Sequence, residues 1–398
     1  MKDRKWILPL IVIAQFCCTS LWFAGNGVMT DLSKSFGLDS QALGHLTSAV
    51  QFGFISGTLV FAFLTIADRF SPSRVFFVCA ILGAIFNLGV IWDGNSFGSL
   101  FIIRFLTGFT LAGIYPVGMK IAADYFQKGL GKSLGFLVGA LVLGTAFPHL
   151  LKNFTGDLPW RFVIFFTSAI AAMGGVLMLL FVPDGPYRSG SQQLDLSLLF
   201  KVFNSKPFQS AAFGYFGHMW ELYAFWAFVP VMLQSFQKVH PESALNIPLL
   251  SFLIIGLGGL ACMVGGYISE SVGVKKTAFY ALLLSCLCCL TSPVIFYMNS
   301  SAVLISFLIF WGLVVIADSP LFSTLVAQNA TASSKGTALT IVNCLGFAIT
   351  IVSIQLISLL HETIDAKFLY VFLAVGPILG LISLSAKNQE QSTSKNLK

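Results

Sequence analysis

Charge is what this sequence has least of. Asp, Glu, Lys and Arg supply 10% of its 398 residues, against roughly 25% in a soluble domain. Hydrophobic residues make up 56% of the chain, and its mean hydropathy is +0.86. A water-soluble globule must cover its outside with polar side chains, so this composition excludes a single soluble core and points to lipid as the solvent. Zinc-type CxxC pairs are also missing. Cys17, Cys18, Cys79, Cys262, Cys286, Cys288, Cys289 and Cys344 all fall in apolar stretches, and they read as small apolar side chains, with neither disulfides nor a metal. No Gly-x-x-x-x-Gly-Lys-Ser/Thr loop is present, which argues against an ATP-driven process. No nucleophile–base or metal-ligand constellation appears, so the chain reads as a non-enzyme without a cofactor. A cleaved signal peptide is not expected: the apolar run after Met1 to Lys5 lasts from Trp6 to about Val28, too long for one.

What is present is a series of apolar runs of spanning length, about twenty residues each. They are 6–28, 42–66, 75–92, 98–119, 133–152, 161–182, 207–233, 248–268, 277–297, 301–326, 336–360 and 368–386. The forty Phe and thirty-six Gly suit such helices, as lipid-facing rings and close-packing points. The expected fold is all-α, about twelve transmembrane helices in two pseudo-symmetric six-helix bundles. Residues 1–182 and 207–386 form the bundles, 183–206 a cytoplasmic central loop and 387–398 a cytoplasmic tail. Loops on the side of the termini carry seventeen Lys or Arg on this segmentation and the opposite side five. That bias places both termini in the cytoplasm, and it accounts for the net charge of +7 without nucleic acid. An internal repeat supports the two halves: Asp68, Ser71 and Arg74 correspond to Glu270, Gly273 and Lys276 at an offset of 202, and Pro116 corresponds to Pro320 at 204. Parallel repeats of this kind imply an axis normal to the membrane.

The turns after spans 2 and 8 resemble the loop signature of the major facilitator superfamily, Gly-x-x-x-Asp-Arg/Lys-x-Gly-Arg/Lys-Arg/Lys. The second copy is Gly266, Glu270, Gly273, Lys275 and Lys276; the first keeps Asp68, Arg69 and Arg74 but has Leu64 and Ser71 where glycines are usual. Arg104 and Gly108 resemble the Arg-x-x-x-Gly motif of the fourth helix. The resemblance implies a secondary transporter working by alternating access, with Asp68, Arg69, Arg74, Glu270, Lys275 and Lys276 as a cytoplasmic gate. The segment GHMWELYAFW (217–226) resembles a bacterial subgroup grouped with nitrate, nitrite and cyanate porters. Nitrate porters place an arginine in helices 2 and 8, and spans 2 and 8 here hold none.

An ionisable group at bilayer depth costs roughly 2.5–3.5 kcal/mol or more, so it is retained where it faces a cavity or a partner. Glu221 and His218 lie three residues apart in span 7, on one helical face. A desolvated carboxylate takes up a proton more readily than one in water, and imidazole titrates nearby. Glu221, His218, Asp318 and Arg104 are therefore the expected proton-coupling groups, Arg104 either neutralising Glu221 or an anionic substrate, or tying helix 4 to backbone carbonyls. Asn26, His45, Gln51, Tyr115, Trp220, Tyr223, Trp226 and Asn343 are the expected cavity lining. The expected partners are a small solute, protons and lipid, for a monomer in a bacterial inner membrane. A proton-independent facilitator and a drug–proton antiporter are the alternatives.

Overall fold

In the computed structural model the chain is described over residues 6–126, 130–156, 158–188, 203–331 and 335–386. Most of the central loop and the 387–398 tail lie outside these residues. Within them the chain is helical, with no strand. The first half runs α1 (Ile7–Thr19), α2 (Ala24–Gly27), α3 (Met29–Phe36), α4 (Ala42–Phe63), α5 (Pro72–Gly89), α6 (Phe97–Leu111), α7 (Tyr115–Tyr125), α8 (Leu130–Thr155) and α9 (Arg161–Phe181). The second runs α10 (Lys206–Val239), α11 (Ile247–Gly256), α12 (Gly258–Val272), α13 (Val274–Tyr297), α14 (Ser301–Ala317), α15 (Ser319–Asn329), α16 (Lys335–Leu360) and α17 (Val375–Ser385).

Ten helical stretches among the described residues are long and apolar enough to cross a membrane. The other two expected spans differ for physical reasons. The first is broken after Thr19, leaving a 13-residue helix. The seventh is one 34-residue helix whose apolar run is interrupted by His218 and Glu221. Spans 4, 8 and 10 are also composite, joined at 112–114, Leu257 and Asp318. In span 10, Pro320 has no N–H to give the Ile316 carbonyl, which instead accepts from the Asp318 N–H and from Cys262 Sγ at 3.4 Å.

The two halves repeat one packing device. A Cβ on Gly108 would sit 2.0 Å from the Val50 carbonyl oxygen, and one on Gly312 would sit 2.0 Å from that of Ile254. Both members of this pair are offset by 204 residues, so α6 crosses α4 as α14 crosses α11, backbone against backbone. The signature turns are built differently. Gly273 takes φ +96° at the end of α12, whereas Ser71 has an ordinary φ of −57° and the first-half turn uses Thr65 at φ +48°. Serine is accommodated at the position where the second copy needs glycine.

Among the described residues, four side-chain hydrogen bonds between the halves lie on the side away from the termini. They join Ser40 to Glu362, Ser48 to Gln355 (2.8 Å), Thr30 to Gln234 (3.5 Å) and Asn153 to Asn246 (2.7 Å). Nearer mid-depth, Gly139 and Gly259 face each other across the same boundary.

Candidate functional site

Glu221 lies inside the second bundle and is 1% exposed. Its carboxyl accepts from Trp311 Nε1 at 2.6 Å, Ser285 Oγ at 2.9 Å and Cys289 Sγ at 3.3 Å. The three donors come from α13 and α14 and none carries a charge. Nothing in the sequence singles them out: a serine, a cysteine and a tryptophan in apolar helices are ordinary residues until the fold aims them at one carboxyl. Cys289 thus does more than fill space, although all eight cysteines are buried and free.

One turn earlier on α10, His218 Nδ1 lies 2.8 Å from Asp318 Oδ1, and both side chains are 1% exposed. The pair is at ion-pair distance but lacks hydrogen-bond alignment, and neither His218 Nε2 nor Asp318 Oδ2 has a hydrogen-bond partner. Asp318 occupies the joint between α14 and α15, so the pair ties the kink of span 10 to span 7. Phe322, one turn into α15, packs on the His218 ring at 5.9 Å.

Arg104 belongs to a different constellation. Its guanidinium donates to the carbonyls of Leu21 (3.2 Å) and Trp22 (2.5 Å) and to Asn87 Oδ1 (3.4 Å). Asn87 in turn donates to Thr167 and Ser168 on α9. Of the two roles open to Arg104 in the sequence, these contacts are those of the carbonyl tie: it holds the break in span 1 and does not touch Glu221. Five N–H donors in a rigid fork suit this task.

The expected lining residues divide. Tyr223 and Trp226 meet Trp22, Phe23, Phe54 and Phe347 in a ring cluster between the halves. Trp22 stands 4.8 Å from Phe54 and 5.8 Å from Tyr223, Tyr223 is 5.3 Å from Trp226, and Phe54 is 4.6 Å from Phe347. Gln51 joins the cluster by accepting from Trp22 Nε1 at 3.0 Å. Asn26 donates to Thr47 at 2.8 Å, and Asn343 accepts from Tyr215 at 2.8 Å. Tyr115 opens α7 and is partly exposed. His45 packs edge-on against Phe97. Trp220 donates to the Phe372 carbonyl at 3.1 Å and packs on Gly376, away from the ring cluster. Sequence reasoning misses Phe23, Phe54 and Phe347, because nothing marks these three among forty phenylalanines.

Of the expected gate residues, Asp68 pairs with Lys120 at 2.8 Å, inside the first half, and its carbonyl accepts from Arg188 at 2.9 Å. Arg69 donates to Thr65 Oγ1 at 3.1 Å. Arg74, Glu270, Lys275 and Lys276 are exposed at the helix ends that flank the turns.

Comparison with known proteins agrees with this architecture. Residues 11–354 match the family described as Major Facilitator Superfamily. The chain is 26% identical over 223 residues to the efflux pump FUB11 of Gibberella moniliformis, a match covering 52% of this chain and 37% of that protein. It is 24% identical over 207 residues to the probable galactarate/D-glucarate transporter GudP of Escherichia coli, covering 49% and 45%. The matches thus span less than half the length of these curated relatives. A crystal structure of a mutant of the nucleoside transporter NupG superimposes with a TM-score of 0.73 at 16% identity, covering 96% of this chain and 98% of that one. At that identity the likeness concerns the fold.

Proposed function

The chain belongs to the major facilitator superfamily, and from that premise we propose that it is a proton-coupled transporter of a small solute, with the second bundle holding the coupling protons. The observation that carries this reading is a charge balance. Glu221 and Asp318 are two buried carboxyls, His218 is the imidazole paired with Asp318, and among the described residues the contacts of Glu221 are neutral donors. Such a trio is electrically neutral only when it holds two protons, on His218 and one acid or on both acids. Losing one leaves net charge at bilayer depth, where charge is costly. Proton number and conformation are therefore linked through the kink at Asp318.

In this reading, residues 1–182 and 207–386 rock about the ring cluster, and the terminus side is cytoplasmic because the basic residues gather there. The four hydrogen bonds on the opposite side close the outward path. The protein acts as a monomer in a bacterial cytoplasmic membrane. Asp68, Arg69, Arg74, Glu270, Lys275 and Lys276 border the inward path and separate or approach as it opens. Arg104 serves the coupling indirectly, by holding the span 1 break that carries Trp22 and Phe23 into the interface. Sugar diacids of the kind named for GudP receive little support, since Arg104 is spent on carbonyls.

The test is proton movement in proteoliposomes loaded with a pH-sensitive dye and challenged with a solute panel. A solute-dependent pH change is expected in the wild type and is absent in Glu221→Gln, while solute counterflow persists. Solute flux that ignores both an imposed pH gradient and the substitution would refute the coupling.

A further inference from the structure

The chemistry of the interface between the halves bears on the substrate, granted the transport reading above. Trp22, Phe23 and Phe54 come from the first half, and Tyr223, Trp226 and Phe347 from the second; none is more than 3% exposed. Trp22 and Trp226 correspond at the repeat offset of 204, so each half contributes an indole to the boundary. The rings touch across it, Trp22 stacking on Phe347 at 5.7 Å and Phe23 lying 6.4 Å from Trp226. Amid these rings two polar atoms have no hydrogen-bond partner although fully buried: Gln51 Nε2 and Trp226 Nε1. Both are N–H donors. A buried donor without an acceptor costs free energy and calls for an explanation.

Formal charge is committed elsewhere. Arg104 is bound to carbonyls of the first half, and Glu221, His218 and Asp318 are bound within the second. Among the described residues no cation contacts these rings, so an anionic solute would lack a partner there. A cation would be drawn to the ring faces, but it would meet two N–H donors presenting positive ends. An uncharged solute with a flat conjugated body and a carbonyl-type acceptor satisfies both features: it stacks on the rings and takes the orphan donors. We infer that the substrate is of this class, and that it binds by replacing ring contacts between the halves with contacts to itself. Gln51 and Trp226 then determine specificity by donating to acceptor lone pairs on that solute.

Three probes sharing one skeleton test the charge preference: cinnamamide, cinnamate and cinnamyltrimethylammonium, titrated calorimetrically into the purified full-length protein. The amide is expected to bind about tenfold more tightly than either ion. Trp226→Phe keeps an aromatic face and removes the N–H, so amide affinity measured on the folded fraction should fall about tenfold; Trp226→Leu, which also lacks the donor, separates the lost N–H from the lost ring. Gln51→Glu keeps an acceptor for Trp22 and, in titrations run at a pH where the new carboxyl is ionised, replaces the Nε2 donor with a carboxylate, so the amide should lose affinity and the cation should gain it. The inference is overturned if either ion binds as tightly as the amide, if the amide fails to bind, or if Trp226→Phe and Gln51→Glu both bind it like the wild type. The two readings fail separately. Amide binding with no linked proton movement refutes the coupling alone; proton-linked flux of a charged solute without amide binding refutes the substrate class alone.

Discussion

His218 and Asp318 face each other across 2.8 Å at the joint of span 10, each sealed from solvent. Removing one member of a buried ionisable pair leaves the other without compensation, at a cost of roughly 3–5 kcal/mol. His218→Ala is expected to destabilise the protein by about that amount, because the Asp318 carboxyl loses its imidazole. Asp318→Asn should cost less, since the histidine it leaves behind can be neutral. The double variant should be less destabilised than the sum of the two, the sign of direct coupling. Thermal unfolding of the four proteins in one detergent gives the cycle; strict additivity would show that the pair does not interact.

Arg104 invites a similar test with a different readout. Lysine keeps the charge but cannot reach Leu21, Trp22 and Asn87 together. Arg104→Lys should lower stability by roughly 1–3 kcal/mol through unsatisfied carbonyls at the break of span 1. Affinity for the solute, measured on the folded fraction, should change much less. A variant with normal melting and lost binding would instead place the guanidinium on the substrate.

The same arginine shows how much of the molecule is legible in the sequence. Twelve apolar runs, the basic bias and the 202–204 offset follow from solvent and repetition, which leave marks at every residue. Arg104 stands out because a guanidinium in a span is rare. Its partners do not, because two are backbone carbonyls of Leu21 and Trp22, which have no sequence signature. Glu221 stands out for the same reason, while Ser285, Cys289 and Trp311 become its donors only through the packing of α13 and α14 on α10. Span 1 reads as continuous because Leu21-Trp22-Phe23 contains no proline or glycine; the break is held from outside, by Arg104. Gly108 and Gly312 are two among thirty-six glycines until the Val50 and Ile254 carbonyls appear beneath them.

Acid on the side away from the termini should weaken closure there. His361 follows α16 directly and precedes Glu362, which bonds Ser40 across the halves. Burial, reinforced by Lys238, holds its imidazole below the ordinary histidine range, with Glu362 opposing. The closed form therefore resists the proton that an opened, hydrated His361 accepts. Linkage then favours closure above about pH 6.5 and weakens it as the pH falls through that value. Distances between spin labels placed near Asn153 and Asn246, recorded at pH 7.5 and 5.5, should show a larger open fraction in acid, and His361→Gln should flatten the dependence. A pH response that survives the substitution would assign it to another group.

The closure itself can be trapped. Asn153 and Asn246 touch across the halves at 2.7 Å, in a contact open to reagents from that side. Cysteines at these two positions should cross-link through a short bifunctional thiol reagent. The eight native cysteines are buried, out of reach of an aqueous reagent, so the background reaction should be slow. On the proposed alternating-access cycle this seam parts at every turnover, so the bridged protein should lose nearly all transport, and reductive release of a disulfide-linked bridge should restore it. A control pair within one half, Asp31→Cys with Lys152→Cys, replaces a 2.8 Å ion pair that does not cross the boundary; bridging it should leave transport largely intact. Equal inhibition by both bridges would mean that the reagent, and not the seam, stops the cycle.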